Sequence, residues 1–178
     1  MSIKHIINEI ALHFDNRPIK IAELGVLHGE SIPIFLNKLN VEEYRGIDLF
    51  NCYEENKDGS YHLMKEHGQD IYNYISKKYS NNSNVKLDVG YTHEVVNKFN
   101  DEYFDLIFID AGHEYPQVSK DIELWYPKMK KNGIFSGDDY HYPPVKKSVD
   151  EFVEKNKLKL YNSKMKNHDE YWSWYVFT

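Results

Sequence analysis

The stretch IAELGVLHGES, residues 21–31, runs from an apolar segment through a glycine-punctuated turn into a helix start. The apolar run Ile19–Leu24 reads as a short buried strand. Gly25 and Gly29 allow a sharp turn and let a ligand approach the backbone without meeting a Cβ. Ser31 can cap the next helix, and Pro33 sits in its permissive first turn, with Ile32, Phe35, Leu36 and Leu39 on the inner face. A strand, a tight turn and a helix in this order form the opening unit of a layered α/β fold.

The same alternation extends in both directions. Upstream, Ile3, Ile6, Ile7, Ile10 and Phe14 recur at helical spacing until Asn16-Arg17-Pro18. Downstream, Tyr44–Leu49 reads as a second strand, Ile71, Tyr74 and Ile75 as a helix, and Val85–Val89 as a third strand. A short helix carrying Val95, Val96 and Phe99 follows. Phe104–Ile109, FDLIFI, is the near-continuous apolar run expected of a buried parallel strand. Val118, Ile122, Trp125 and Met129 then predict a helix over Tyr115–Lys130, which Asn132-Gly133 ends before a strand at Ile134–Ser136. Val145, Val149, Phe152 and Val153 mark another helix. Leu158–Asn162 and Tyr171–Phe177 read as two strands with no helix between them. The expected fold is α/β: a Rossmann-like, doubly wound, mostly parallel seven-stranded sheet with a C-terminal antiparallel hairpin, in a single domain over residues 1–178.

Composition narrows the function classes. With 178 residues, 41% hydrophobic and 28% charged, the sequence is that of an ordinary globular domain. No apolar stretch approaches the roughly 20 residues of a membrane span, and the N-terminus has no secretory cleavage pattern. A net charge of −6 argues against nucleic acid as a partner. The single Cys52 excludes an internal disulfide and fits a reducing cytoplasm. The 15 tyrosines leave three readings open: an aromatic cleft, an interface with a second copy in a homo-oligomer, or compositional bias.

In open α/β sheets ligands sit at the carboxyl ends of the strands. The first strand end carries E-x-G-x-x-x-G, made by Glu23, Gly25 and Gly29, rather than the G-x-G-x-x-G that grips a pyrophosphate. Asp48 ends the second strand, where a carboxylate can accept hydrogen bonds from both hydroxyls of a ribose or serve as a turn residue. After the third strand come Asp88-Val-Gly90-Tyr91-Thr92, a turn in which Thr92 can be a helix cap. Asp110 ends the fourth strand, and Asp138 and Asp139 follow the fifth.

On these residues the chain resembles the class I S-adenosylmethionine-dependent methyltransferases. Between residues 104 and 140 it closely resembles the macrocin-type sugar O-methyltransferases, through D-x-x-H-x-Y at Asp110, His113 and Tyr115, D-I-E-L-W at residues 121–125 and G-D-D at residues 137–139. The resemblance implies that S-adenosyl-L-methionine binds with its amino acid end against Glu23, Gly25, Gly29 and Ser31. It also implies adenine contacts at Gly90, Tyr91 and Thr92. Converging carboxylates repel unless one holds a proton or they share a cation, so Asp110, Asp138 and Asp139 are the expected ligands of Mg²⁺, an ion that prefers oxygen donors. Such an ion can bind an acceptor hydroxyl and lower its pKa. An Asp pair can equally be a loop turn or helix cap.

His113 can accept the hydroxyl proton, or it can only orient Asp110 or cap a helix; His141 is the rival base. Asp121 and Trp125 read as structural. The expected reaction is methyl transfer to a hydroxyl of a small-molecule acceptor, with a sugar-containing metabolite as the implied class. A non-catalytic nucleoside-binding module and an NAD-dependent oxidoreductase are the alternatives. Two features depart from the resemblance. The polar stretch Phe50–Gln69 is expected to be a lid or binding loop offering Tyr53, Tyr61 and His62. The aromatic C-terminal EYWSWYVF is expected to build core, an acceptor wall or a dimer face.

Overall fold

A computed structural model describes residues 3–50, 71–164 and 171–178. The expected lid, with Tyr53, Tyr61 and His62, therefore lies outside the described residues, apart from Phe50. Helices α1 (Ile7–Phe14), α2 (Ile32–Lys38), α3 (Ile71–Lys78), α4 (Thr92–Val95), α5 (Tyr115–Trp125) and α6 (Pro143–Asn156) alternate with strands β1 (Ile19–Leu24), β2 (Val41–Asp48), β3 (Val85–Val89), β4 (Phe104–Ile109) and β5 (Met129–Gly137), and the chain then forms β6 (Tyr161–Lys164) and β7 (Tyr171–Phe177). The sheet order is β3-β2-β1-β4-β5-β7-β6. Strands β1 to β5 pair in parallel, and β7 runs antiparallel to both β5 and β6. This is the α/β doubly wound sheet with a C-terminal antiparallel hairpin that the sequence predicts.

Burial explains why the apolar runs became strands. Every residue of β4 is buried, as a central parallel strand covered on both faces requires. One core cluster joins Ile6, Ile10, Phe14, Ile21, Phe35 and Phe108. Another joins Ile107, Ile122, Trp125, Phe135, Val149 and Trp174. The aromatic tail contributes to this second core: Trp174 is 1% exposed and Val176 fully buried. Among the described residues no helix is long and apolar enough to cross a membrane.

Besides β6, expected at Leu158–Asn162 and found at Tyr161–Lys164, three boundaries differ from the sequence expectation. Helix α5 stops at Trp125, one 3₁₀ turn covers Tyr126–Lys128, and Met129 opens β5. Pro127 has no N–H for a helical bond, although Met129 continues the helical apolar spacing. Asn132-Gly133 lies inside β5 rather than before it, with Asn132 at φ +61°, where the β4–β5 register shifts. A Cβ on Gly133 would come within 2.7 Å of the Asp105 carbonyl oxygen, so the strands approach closely there. Strand β2 starts at Val41, earlier than expected, because Glu43 is only 9% exposed and is held by Arg45, Lys86 and Tyr103.

Strand pairing sets the site. Bonds beyond the strand ends draw the loops together: Gly25 N–H donates to Ile47 O at 2.9 Å, Gly90 N–H to Asp48 O at 3.0 Å, Asp110 N–H to Leu24 O at 2.7 Å and Asp138 N–H to Ile109 O at 2.9 Å. The five turns after β1 to β5 thus form one edge.

Candidate cofactor and acceptor site at the carboxyl edge

The β1 turn is closed from both sides. Gly25 adopts φ +88°, and a Cβ there would lie 1.9 Å from the Asp110 carbonyl oxygen, so only glycine fits. Gly29 turns with φ +70°, packed against Ile32 and Ile75. Between them Leu27 also takes a positive φ of 48° and stands 45% exposed. Asp48 secures this loop: one carboxylate oxygen accepts from Val26 N–H at 2.8 Å and Leu27 N–H at 2.9 Å, and the other from Phe50 N–H at 3.0 Å. The carboxylate expected to face a ribose is thus also what shapes the glycine turn.

Glu23 lies beneath that turn, 1% exposed. Tyr44 Oη donates to its carboxylate. Burial pushes the Glu23 carboxyl up to about 8, against the opposing pull of bonds from Ser31 and Tyr44 and with the help of nearby Asp110 and Asp48. Ser31 stands at the N-cap position of α2 but makes no capping bond, because its hydroxyl serves Glu23 instead. Tyr44 is a site neighbour that the sequence reading missed; its only signal was an aromatic hydroxyl on an inward-facing position of the strand beside β1.

The turn after β3 splits its three candidates. Gly90 has φ +149°. Tyr91 is 52% exposed and stacks on His93, with ring centroids 5.4 Å apart, so it offers a face at the rim. Thr92 turns inward. It is 9% exposed and donates to Asp121 at 2.5 Å, so its hydroxyl does not point to a ligand and does not cap α4.

The acidic corner follows β4 and β5. One ligand atom from each of Asp110, His113 and Asp139 lies within 4.8 Å of the other two. His113 Nε2 is 2.7 Å from Asp139 Oδ2, and His141 Nδ1 is 3.9 Å from Asp139 Oδ1. Burial, reinforced by Asp138 and Asp139, raises the Asp110 carboxyl to about 7, with His113 opposing. The hydrogen bond to Asp139 raises the His113 imidazole above its usual range, with burial opposing it. Asp138 is 9% exposed and accepts the Asp139 N–H at 2.6 Å. The converging set is therefore two carboxylates and an imidazole, with His113 in the place given to Asp138 by the sequence reading. Tyr142, whose ring meets that of His113 edge-on at 6.1 Å, is 43% exposed and forms a flank that the sequence did not single out.

The seven-stranded fold is that of the class I S-adenosylmethionine-dependent methyltransferases. A family model described as "Methyltransferase domain" matches residues 22–140. The chain belongs to that methyltransferase family. It is 25% identical over 155 residues to the uncharacterized protein R132 of Acanthamoeba polyphaga mimivirus, covering 84% of this chain and 66% of that one. Spermidine synthase from Thermotoga maritima shares the fold with a TM-score of 0.66 at 18% identity, over 98% of this chain and 59% of that one. The O-methyltransferase TomG from Streptomyces achromogenes, solved with S-adenosylmethionine, superimposes with a TM-score of 0.61 at 14% identity, over 97% of this chain and 79% of that one. The chain thus spans less than two thirds of the mimivirus protein and of the spermidine synthase.

Proposed function

We propose that this domain transfers the methyl group of S-adenosylmethionine to a hydroxyl oxygen of a small-molecule acceptor, for which a sugar-containing metabolite is the favoured class. The observation that carries the reading is the shared wall between two different chemistries. The glycine turn over Glu23, suited to the donor, touches the backbone of Asp110, which opens the acidic corner. A donor over Gly25 and an acceptor at Asp110 would be neighbours, as in-line displacement at a sulfonium methyl demands. The O-methyltransferase fold neighbour crystallised with S-adenosylmethionine agrees with this reading of the donor.

The corner fits a divalent cation on donor chemistry: two carboxylate oxygens and one imidazole nitrogen converge, and Asp110 at about 7 would either hold a proton or lie beside positive charge. Asp110, His113 and Asp139 would hold the ion, and the mixed set admits Mn²⁺ as readily as Mg²⁺. When bound, the ion supplies positive charge that lowers the pKa of an acceptor hydroxyl. The 2.7 Å contact between His113 and Asp139 favours a second reading without an ion, in which Asp139 orients His113 and the imidazole takes the hydroxyl proton.

One assay tests both readings: labelled methyl transfer from S-adenosylmethionine to a panel of sugar nucleotides, with Mg²⁺, with Mn²⁺, or with a chelator. The expected outcome is transfer abolished by the chelator and by Asp139→Ala, with S-adenosylhomocysteine binding by calorimetry intact. Chelator-resistant transfer that His113→Ala abolishes selects the second reading. Failure of the native protein to bind S-adenosylhomocysteine overturns both.

A further inference from the structure

Asp121 is 1% exposed, on α5 and away from the acidic corner. Its Oδ1 accepts the Thr92 hydroxyl at 2.5 Å. Its Oδ2 is buried with no hydrogen-bond partner, as is Nε1 of Trp125 one turn further along the same helix. Its neighbours along the helix, Val118, Ile122 and Trp125, belong with Val95 to one buried apolar cluster. A buried carboxyl with an unmatched oxygen costs on the order of 1–3 kcal/mol, so packing alone does not account for it.

What the carboxylate holds is the start of α4. Thr92 is the first residue of that four-residue helix, and Tyr91 at its N-cap has no side-chain cap. Tyr91 and Gly90, whose φ of +149° suits glycine, make the turn at the edge of the proposed donor pocket. No side chain caps this turn, so its position depends on Gly90 N–H bonding to Asp48 O at one end and on Thr92 bonding to Asp121 at the other. We infer that Asp121 is a positioning residue: from inside the core, through the Thr92 hydroxyl, it fixes the 90–92 turn where the nucleoside end of the cofactor would bind. Burial raises the Asp121 carboxyl above its usual range, opposed by the Thr92 bond and by His93 and Lys120. A proton on Oδ2 would leave Oδ1 free to accept from Thr92.

The inference rests on the cofactor reading above, and titration calorimetry with S-adenosylhomocysteine separates the two. Thr92→Val removes the hydroxyl but keeps the shape, Thr92→Ser keeps the hydroxyl, and Asp121→Ala removes the acceptor. The expected result is a roughly tenfold loss of affinity in Thr92→Val and in Asp121→Ala, worth about one hydrogen bond. The serine variant should retain native affinity, and the Thr92→Val/Asp121→Ala double variant should lose no more than either single change. A merely structural role would lower the melting temperature and leave affinity unchanged in the folded fraction. Affinity in Thr92→Val within twofold of native overturns the inference while leaving the cofactor reading intact. Losses that multiply in the double variant, or a serine variant as weak as valine, overturn it equally. Absence of binding in the native protein overturns the cofactor reading and this inference with it.

Discussion

At the scale of single residues, the site depends on atoms that are missing as much as on those present. Gly25 is the clearest case, because its φ is +88° and the position of its absent Cβ is 1.9 Å from the Asp110 carbonyl. Gly25→Ala would have to separate β1 from the β4 turn. Its expected cost is on the order of 3 kcal/mol in urea unfolding, with loss of S-adenosylhomocysteine binding. A cost below 1 kcal/mol would show that the two turns are not in contact. The sequence made this glycine legible, since the E-x-G-x-x-x-G spacing names it. What the letters did not carry is the wiring: Asp48 bonded to the loop N–H groups, Ser31 turned to Glu23 rather than capping α2, and Thr92 turned into the core. Each of these is a choice between a ligand and a protein partner, and only three-dimensional proximity decides it.

At the scale of elements, strands with mostly apolar, buried runs were legible to the residue, as at Ile19–Leu24 and Phe104–Ile109. Burial on both faces is written directly into such runs. The end of α5 was not legible, because Val118, Ile122, Trp125 and Met129 fit helical spacing while Met129 in fact packs as a strand residue. Periodicity is blind to a proline that falls within it. The hairpin's contribution is a testable matter of packing. Trp174 meets Phe135 edge-on with centroids 5.7 Å apart, and its indole covers Gly137, where a Cβ would come within 2.7 Å of Nε1. Trp174→Ala is expected to cost about 3–5 kcal/mol in chemical denaturation. A loss under 1 kcal/mol would mean that β6 and β7 are an appendage to the core.

At the scale of the whole molecule, the order β3-β2-β1-β4-β5 places the proposed donor side and acceptor side on opposite flanks of the β1–β4 junction. Both flanks concentrate acidic groups. Glu23 is raised to about 8, Asp110 to about 7, and His113 above 6.5. A raised folded pKa means that the native state holds the proton more tightly than the unfolded chain. The associated stability is complete below the unfolded values and is lost as pH rises through the folded ones. Without divalent cations, the urea midpoint is therefore expected to fall between about pH 4.5 and pH 8, and Glu23→Gln should flatten the upper part of that decline. Glu43, lowered because Arg45 and Lys86 outweigh its burial, acts in the opposite sense only on the acid side of this window. A midpoint that climbs from pH 6 to pH 8 would contradict the protonated state of the corner.

Burial of β4 along its whole length, between β1 and β5, also sets a hierarchy in time. The amides of Leu106 to Ile109 are expected to meet solvent only when the whole sheet comes apart, so their protection in deuterated water should match the free energy of global unfolding. The N–H groups of Val26 and Leu27 are held by one carboxylate at the edge and exchange whenever that local clasp opens. The molecule is therefore slowest at its centre and quickest at the rim where its ligands would arrive.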